Sequence, residues 1–379
     1  MTTASAPKSY KLELLSAYGP VFRDVLKSPP RDCDASEVPI IDLSDIRGSE
    51  KERRALAMKI RDAAQNTGFF YIKNHGIPKP HIDAAFNQAQ SFFAQPVEKK
   101  AEVSQKQSKF FNGWSERRET SISPTESRDH REGFSFRYDP KYDPESKDLA
   151  AIPEKVKECL RDSVVNYYPK NTEAKDAIID VGLGAHTDLQ CFTFLWQDSV
   201  GGLQVLTNDG QWIKVPPVPD TFVVNIGDFL MRLSNDRFKS TVHRVYNYAA
   251  EDRYSMPFFF GFNFDEKCTV LPSCIDEENP AKYEPISCGE TKLSRHESTG
   301  PTAPIANGLF ADDQGTFNST FEHAQDPADQ AVKSAPVIVL RELDYSHSGG
   351  YRKPRALTDI DIVNAQLLKE ETAKDLIQM

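Results

Sequence analysis

Cysteine is scarce and scattered: six residues in 379 (Cys33, Cys159, Cys191, Cys268, Cys274 and Cys288), with no C-x-x-C pair among them. That spacing excludes a zinc site built on paired thiolates and a disulfide-stapled scaffold, so free, buried or half-buried thiols are expected. No apolar run approaches the roughly 18 residues of a membrane-spanning helix, and no membrane partner is expected. The amino terminus, MTTASAPKSYKLELL, lacks the charged-then-apolar order of a secretory signal, which makes a cytoplasmic location the expectation. Positive charge is in deficit too. A net charge of −10 with no basic stripe argues against nucleic acid as a partner. What is present is a chain 39% hydrophobic, long enough to bury a large core in one or two domains.

The chain divides by texture. Residues 1–37 carry an amphipathic stretch, YKLELLSAYGPVFRDVL, and then a loop. Residues 38–150 open with the strand candidate VPIIDL. Ser49 and Glu52 make a capping box ahead of EKERRALAMKIRDAAQNTG, with Gly68 at the carboxyl cap. FFYIKNHGI reads as a buried strand, a helix follows Pro80, and a polar stretch from 96 onward contains Phe110, Phe111, Trp114, Phe134 and Phe136, read as a substrate-facing loop. Residues 151–290 begin with IPEKVKECLRD (152–162), a short helix candidate. Eight β-branched and aromatic runs follow, from SVVNYY to RYSMPFFFGFNF, broken by turn residues such as Asn208-Asp209-Gly210 and by a helical turn in GDFLMRLSND. That pattern predicts an α+β chain with a mainly β core, a double-stranded β-helix or jelly roll with flanking helices. Residues 291–379 read as an extension rich in Pro, Gly and acid, with a strand candidate APVIVLREL and a terminal helix capped by Thr358.

Three His-x-acid triplets occur, where eight His and 56 acidic residues give roughly one by chance. His81-Ile82-Asp83 opens a helix, on which residues two apart point about 200° apart and cannot chelate one ion. His130-Arg131-Glu132 lies in a charge-rich loop and reads as surface. His186 and Asp188 sit on strand-type sequence, where residues two apart share a face, and His243 follows 55 residues later to close a two-His, one-carboxylate set. These ligand types suit iron(II), zinc or manganese. Arg253 and Ser255 lie two apart on the last strong strand, and a buried guanidinium there needs an anion such as a dianionic acid. Asn166 and Tyr168, again two apart, offer further hydrogen bonds. Phe192, Phe194 and Trp196 alternate along one strand, as cavity wall or as sheet core. Arg117 and Arg118 either receive an acidic group or face solvent.

HTD with FTFLWQDSVGGLQVL, DGQWIKVPPVPDTFVVNIGDFLMRLSNDRFKSTVHRV and RYSMPFFF resembles the catalytic core of the iron(II) and 2-oxoglutarate dependent oxygenases of the isopenicillin N synthase-like family. VPIIDLS, GFFYIKNHGI, KFFNGWSE and REGFSFRY resemble its amino-terminal part, so the likeness covers roughly residues 38–290. It implies a dioxygenase that uses Fe(2+), 2-oxoglutarate and O2 to oxidise a small-molecule, secondary-metabolite substrate, releasing succinate and carbon dioxide. The reactions expected are hydroxylation, desaturation or oxidative ring chemistry. By position it makes His186, Asp188 and His243 the metal ligands and Arg253 and Ser255 the clamp on the far carboxylate of 2-oxoglutarate, with Asn166 and Tyr168 assisting. Isopenicillin N synthase itself and aminocyclopropane-carboxylate oxidase share the Arg-x-Ser pair without using 2-oxoglutarate, and an inactive relative is the third reading. Family members carry a long helical stretch before NYYP; this chain has only IPEKVKECLRD there.

Overall fold

The computed structural model describes residues 8–16, 20–107, 113–138, 161–170, 181–247, 251–262, 266–289 and 291. β1 (Ser9–Leu14) and β2 (Val21–Leu26) form an antiparallel hairpin, and β3 (Arg31–Asp32) and β4 (Ile40–Asp42) follow. α1 (Glu50–Asn66) starts at the expected capping box, with Ser49 Oγ accepting from the Glu52 N–H and the Glu52 carboxylate accepting from the Ser49 N–H. Gly68 closes it at φ +69°, where a Cβ would stand 2.0 Å from the Lys239 carbonyl oxygen, so a side chain is excluded on two counts. β5 (Phe69–Lys73), α2 (Lys79–Phe93), α3 (Val97–Ala101), β6 (Gly113–Ser115), β7 (Glu132–Tyr138) and β8 (Arg161–Tyr168) come next. The remaining strands are β9 (Leu183–His186), β10 (Phe192–Gln197), β11 (Leu203–Leu206), β12 (Trp212–Lys214) and β13 (Thr221–Ile226), then β14 (His243–Val245) and β15 (Arg253–Phe260) after the short helix α4 (Asp228–Leu233). β16 (Lys267–Cys268) and β17 (Ile286–Ser287) pair at the end.

Two sheets make the jelly roll. The major sheet has eight strands in the order β4-β5-β13-β10-β15-β8-β7-β6, and the minor sheet five, β3-β12-β11-β14-β9. Between them lies a dry core in which Phe69, Tyr71, Val223 and Tyr168 of the major sheet meet Leu203, Val205, Ile213 and Val245 of the minor one. Alternation along each strand then fixes what the outer faces carry. Phe70, Ile72 and Val224 point away from the core and are covered by Leu56 and Ala63 of α1. Trp114, Phe134 and Tyr254 lie under Ala89 and Phe93 of α2. These two helices close the back face, so the short stretch ahead of β8 does not leave it bare.

Three expectations change, and one open alternative is decided in favour of sheet core. Phe192, Phe194 and Trp196 all lie on the back face, against Phe260, the α1 cluster and Phe86 respectively, so none walls the cavity; their neighbours Thr193 and Gln197 point inward. Trp114 and Phe134 are sheet core beneath α2 rather than a substrate-facing loop; Phe110 and Phe111 lie outside the described residues. Glu132 is not a surface residue: it is buried in an ion pair with Lys100 at 2.6 Å and accepts from the Trp114 indole N–H at 2.8 Å. The candidate helix 152–162 ends as strand, because residues 161 and 162 belong to β8; its earlier residues, and residues 292–379 with the strand and terminal helix expected there, lie outside the described part.

Within the first 37 residues, β1, β2 and β3 are integral to the fold. Leu12, Leu14 and Val25 of the hairpin pack on Leu206, Trp212, Ala185 and Val242 at the outer face of the minor sheet, and β3 extends that sheet beside β12. Leu12→Ala is therefore expected to lower stability by about 2–5 kcal/mol, as a buried large-to-small change does. Urea unfolding measures this, and a change within about 0.5 kcal/mol would make the hairpin an appendage.

Candidate metal centre

Three side chains on the minor-sheet side converge. His186 ends β9, Asp188 lies two residues beyond it, and His243 opens β14 directly opposite His186. His186 Nε2 stands 3.5 Å and His243 Nε2 3.7 Å from Asp188 Oδ1, and the three donor atoms all lie within 4.8 Å of one another. Metal bonds of about 2.1 Å at near-right or tetrahedral angles place donors about 3.0–3.5 Å apart, so both histidine-to-carboxylate separations lie at or just beyond that range. All three side chains are buried.

Each donor is aimed by a hydrogen bond on its other atom. His186 Nδ1 donates to the Gly184 carbonyl at 2.7 Å and His243 Nδ1 to the Thr241 carbonyl at 3.1 Å, which turns Nε2 of each ring toward the centre. Asp188 Oδ2 accepts from Thr193 Oγ1 at 2.5 Å and from Asn225 Nδ2 at 2.8 Å, so Oδ1 faces the histidines. Burial alone would push this carboxyl up. His243 and His186, with the Thr193 hydroxyl, reverse that and hold it far below the usual carboxylate range. Asp228 fixes the ligand loop from behind: its carboxylate accepts from Thr187 and Ser240, and its N–H donates to the Asp188 carbonyl at 2.8 Å.

The free edge of β9 is covered without a strand. The Gly184 and Ala185 N–H groups donate to the carboxylates of Asp129 and Glu126, at 3.0 and 2.5 Å. Glu126 also accepts from Arg244 at 3.2 Å, whose guanidinium lies 3.8 Å above the Trp212 ring. One loop therefore braces both histidine-bearing strands.

On the inner face of the major sheet, Arg253 is fully buried. Its Nη2 donates to Gln197 at 3.3 Å and its guanidinium lies 4.6 Å from the centre of the Tyr168 ring, while its Nε and Nη1 have no partner. Register puts Arg253 opposite Tyr168 and Ser255 opposite Asn166, so all four share the inner face. The Asn166 amide oxygen is already taken by Arg131 at 2.7 Å. Of the other candidates, His81 lies on α2 and Asp83 pairs with Lys79 outside the site, and Arg117 and Arg118 are exposed. The sequence reading passed over Thr193, Asn225 and Asp228, although a polar residue inside TFVVNIG or CFTFLW is itself a signal.

A pair of family models covers most of this architecture: the 2OG-Fe(II) oxygenase superfamily over residues 159–262, and the non-haem dioxygenase in morphine synthesis N-terminal over residues 38–157. A 2-oxoglutarate-Fe(II) type oxidoreductase, ppzC of Metarhizium rileyi, is 39% identical over 347 residues, covering 75% of this chain and 93% of that protein. The oxidoreductase hxnY of Emericella nidulans is 32% identical over 301 residues, 66% of this chain and 86% of its own length. Among solved structures, a full-length Neurospora crassa protein in complex with alpha-KG and thymine superposes at a TM-score of 0.59 with 26% identity, over 69% of this chain and 96% of that one. JOX2 in complex with 2OG, Fe and JA superposes at 0.56 with 26% identity, over 73% and 95%. The chain belongs to the 2-oxoglutarate and iron(II) dependent oxygenases, and iron(II), 2-oxoglutarate and dioxygen are its cofactor and co-substrates.

Asn225→Ala frees Asp188 Oδ2 to rotate. Iron(II) affinity, measured by anaerobic titration, is expected to fall about 10–100-fold, the usual cost of losing a group that orients a ligand. An unchanged affinity would show that Asp188 is held without it.

Proposed function

We propose that this protein oxidises a small organic molecule of secondary metabolism at iron(II) held by His186, Asp188 and His243. The observation that carries the reading is the pairing of that donor set with a fully buried arginine, two of whose nitrogens lack a partner, on the facing wall. A buried guanidinium with free donors demands an anion. The far carboxylate of 2-oxoglutarate would meet that demand, held by Arg253 and the Ser255 hydroxyl. Tyr168 supplies the ring face on which the guanidinium rests, and Asn166 keeps its amide nitrogen for the co-substrate.

Bound iron(II) and 2-oxoglutarate supply the oxidising power, the 2-oxo acid losing carbon dioxide to become succinate as dioxygen is consumed. The protein's own part is positional. Thr193 and Asn225 fix which Asp188 oxygen faces the ion, the two backbone carbonyls fix both imidazole tautomers, and the dry layer from Phe69 to Val245 keeps water from the back of the site. The Neurospora crassa protein with thymine and JOX2 with JA are structures of neighbours that hold small molecules, which supports a substrate of that size here.

Oxygen uptake and succinate release, followed together against a metabolite library, are expected to rise one for one. Uptake without succinate would assign the chain to the oxidases that do not use 2-oxoglutarate. Arg253→Gln is expected to raise the dissociation constant for 2-oxoglutarate about 30-fold or more, the loss of one buried charged hydrogen-bond partner; a value within about threefold of wild type would place the acid elsewhere.

A further inference from the structure

A second arginine reaches the inner face. Gln197, Ser255, Asn166, Gly133 and Ser115 stand opposite one another across β10, β15, β8, β7 and β6. Directly opposed residues share a face, so this row continues the wall that carries Arg253 and Ser255. Gly133 leaves a gap in it. A Cβ on that residue would stand 2.7 Å from Arg131 Nη1 and 2.9 Å from Ser115 Oγ, so the Arg131 guanidinium lies over the glycine and donates to Asn166 Oδ1 at 2.7 Å. Asn166 is one strand, ~4.8 Å, from Ser255.

Among the described residues no acid neutralises this cation. Arg131 Nε is buried with no partner, and no carboxylate among the described residues pairs with the side chain. The acids nearest in sequence are committed elsewhere: Glu126 to Arg244 and Ala185, Asp129 to Thr120 and Gly184, and Glu132 to Lys100 on the opposite face of the sheet. A neutral amide oxygen is a poor match for a half-buried guanidinium, and an anion beside it would be bound well.

We propose that Arg131, with Ser115 beside it, is the recognition site for an acidic group, a carboxylate, on the primary substrate. The inference rests on the oxygenase reading and adds the chemical class of the substrate. It also gives Gly133 a purpose, since any side chain there would displace the guanidinium.

The test uses the full chain loaded with Mn(II) and 2-oxoglutarate, which is inert in air, titrated calorimetrically with small aliphatic and aromatic monocarboxylic acids, each beside its own primary amide. At least one acid is expected to bind about tenfold or more tighter than its amide. In Arg131→Gln, which removes the charge but keeps a hydrogen-bond donor, that margin is expected to shrink to about twofold while 2-oxoglutarate affinity stays within about threefold. The proposal is overturned if no acid outbinds its amide, or if the margin survives in the variant. It is equally overturned if the variant instead loses 2-oxoglutarate, which would make Arg131 part of the co-substrate site. Failure of the wild-type protein to take up Mn(II) and 2-oxoglutarate in the loading step is a separate result, and it sinks the oxygenase reading on which this one stands.

Discussion

The bond from Thr193 and Asn225 to one oxygen of Asp188 is the contact on which the rest of the site depends. Asp188 leaves the minor sheet just after β9, whereas Thr193 and Asn225 are opposed residues on β10 and β13 of the major sheet. A buried carboxylate costs several kcal/mol unless it is paired and hydrogen-bonded. Two donors on one oxygen and two imidazoles facing the other meet that cost only while the sheets hold this separation. The metal set is thus a readout of the jelly roll's closure. The same packing of Phe69, Tyr71 and Val223 against Leu203, Val205 and Val245 that closes the roll also aims the ligand.

What could be read from the sequence was local. Strand periodicity placed Arg253 beside Ser255 and Asn166 beside Tyr168, and each of these pairs shares a face, whereas β9 ends at His186 and Asp188 reaches the same centre from the loop beyond it. The capping box at Ser49 and the glycine after α1 were likewise legible, because a cap involves neighbours in the chain. Facing was not. The alternation Phe192, Phe194, Trp196 says that three aromatics share a side, but only the helices α1 and α2 decide that this side is the back. Glu132 illustrates the same limit: in ESRDHREG it reads as one more surface charge, and only the approach of Lys100, 32 residues earlier, shows it to be half of a buried pair. Glu126 and Arg244, 118 residues apart, could not be matched by any spacing rule.

The short stretch ahead of NYYP, the departure from the family pattern, receives a structural account. The relative ppzC aligns over 347 positions while drawing on 75% of this chain, so that protein carries residues inside the matched region that this chain lacks. The back of the major sheet is nevertheless covered, by α1 over β5 and β13 and by α2 over β15, β7 and β6. On the other side, the hairpin β1-β2 shields Trp212 and Leu206, whose exposure would leave the minor sheet with an apolar outer face. Both sheets are therefore sandwiched, and the cysteines within these layers stay out of the chemistry: burial pushes the Cys268 thiol up to about 11 and the Cys288 thiol up to about 12.

Two walls of opposite character face each other, one on the minor sheet that carries His186 and His243 and a cationic one on the major sheet that carries Arg253. A crystal structure of the protein with Mn(II) and 2-oxoglutarate examines both at once, through the anomalous signal of the metal and the density of the acid. It should show the metal bonded to His186 Nε2, Asp188 Oδ1 and His243 Nε2, with the far carboxylate of 2-oxoglutarate on Arg253 and Ser255. A metal away from these three atoms, or an acid that leaves Arg253 without an anion, would contradict that arrangement.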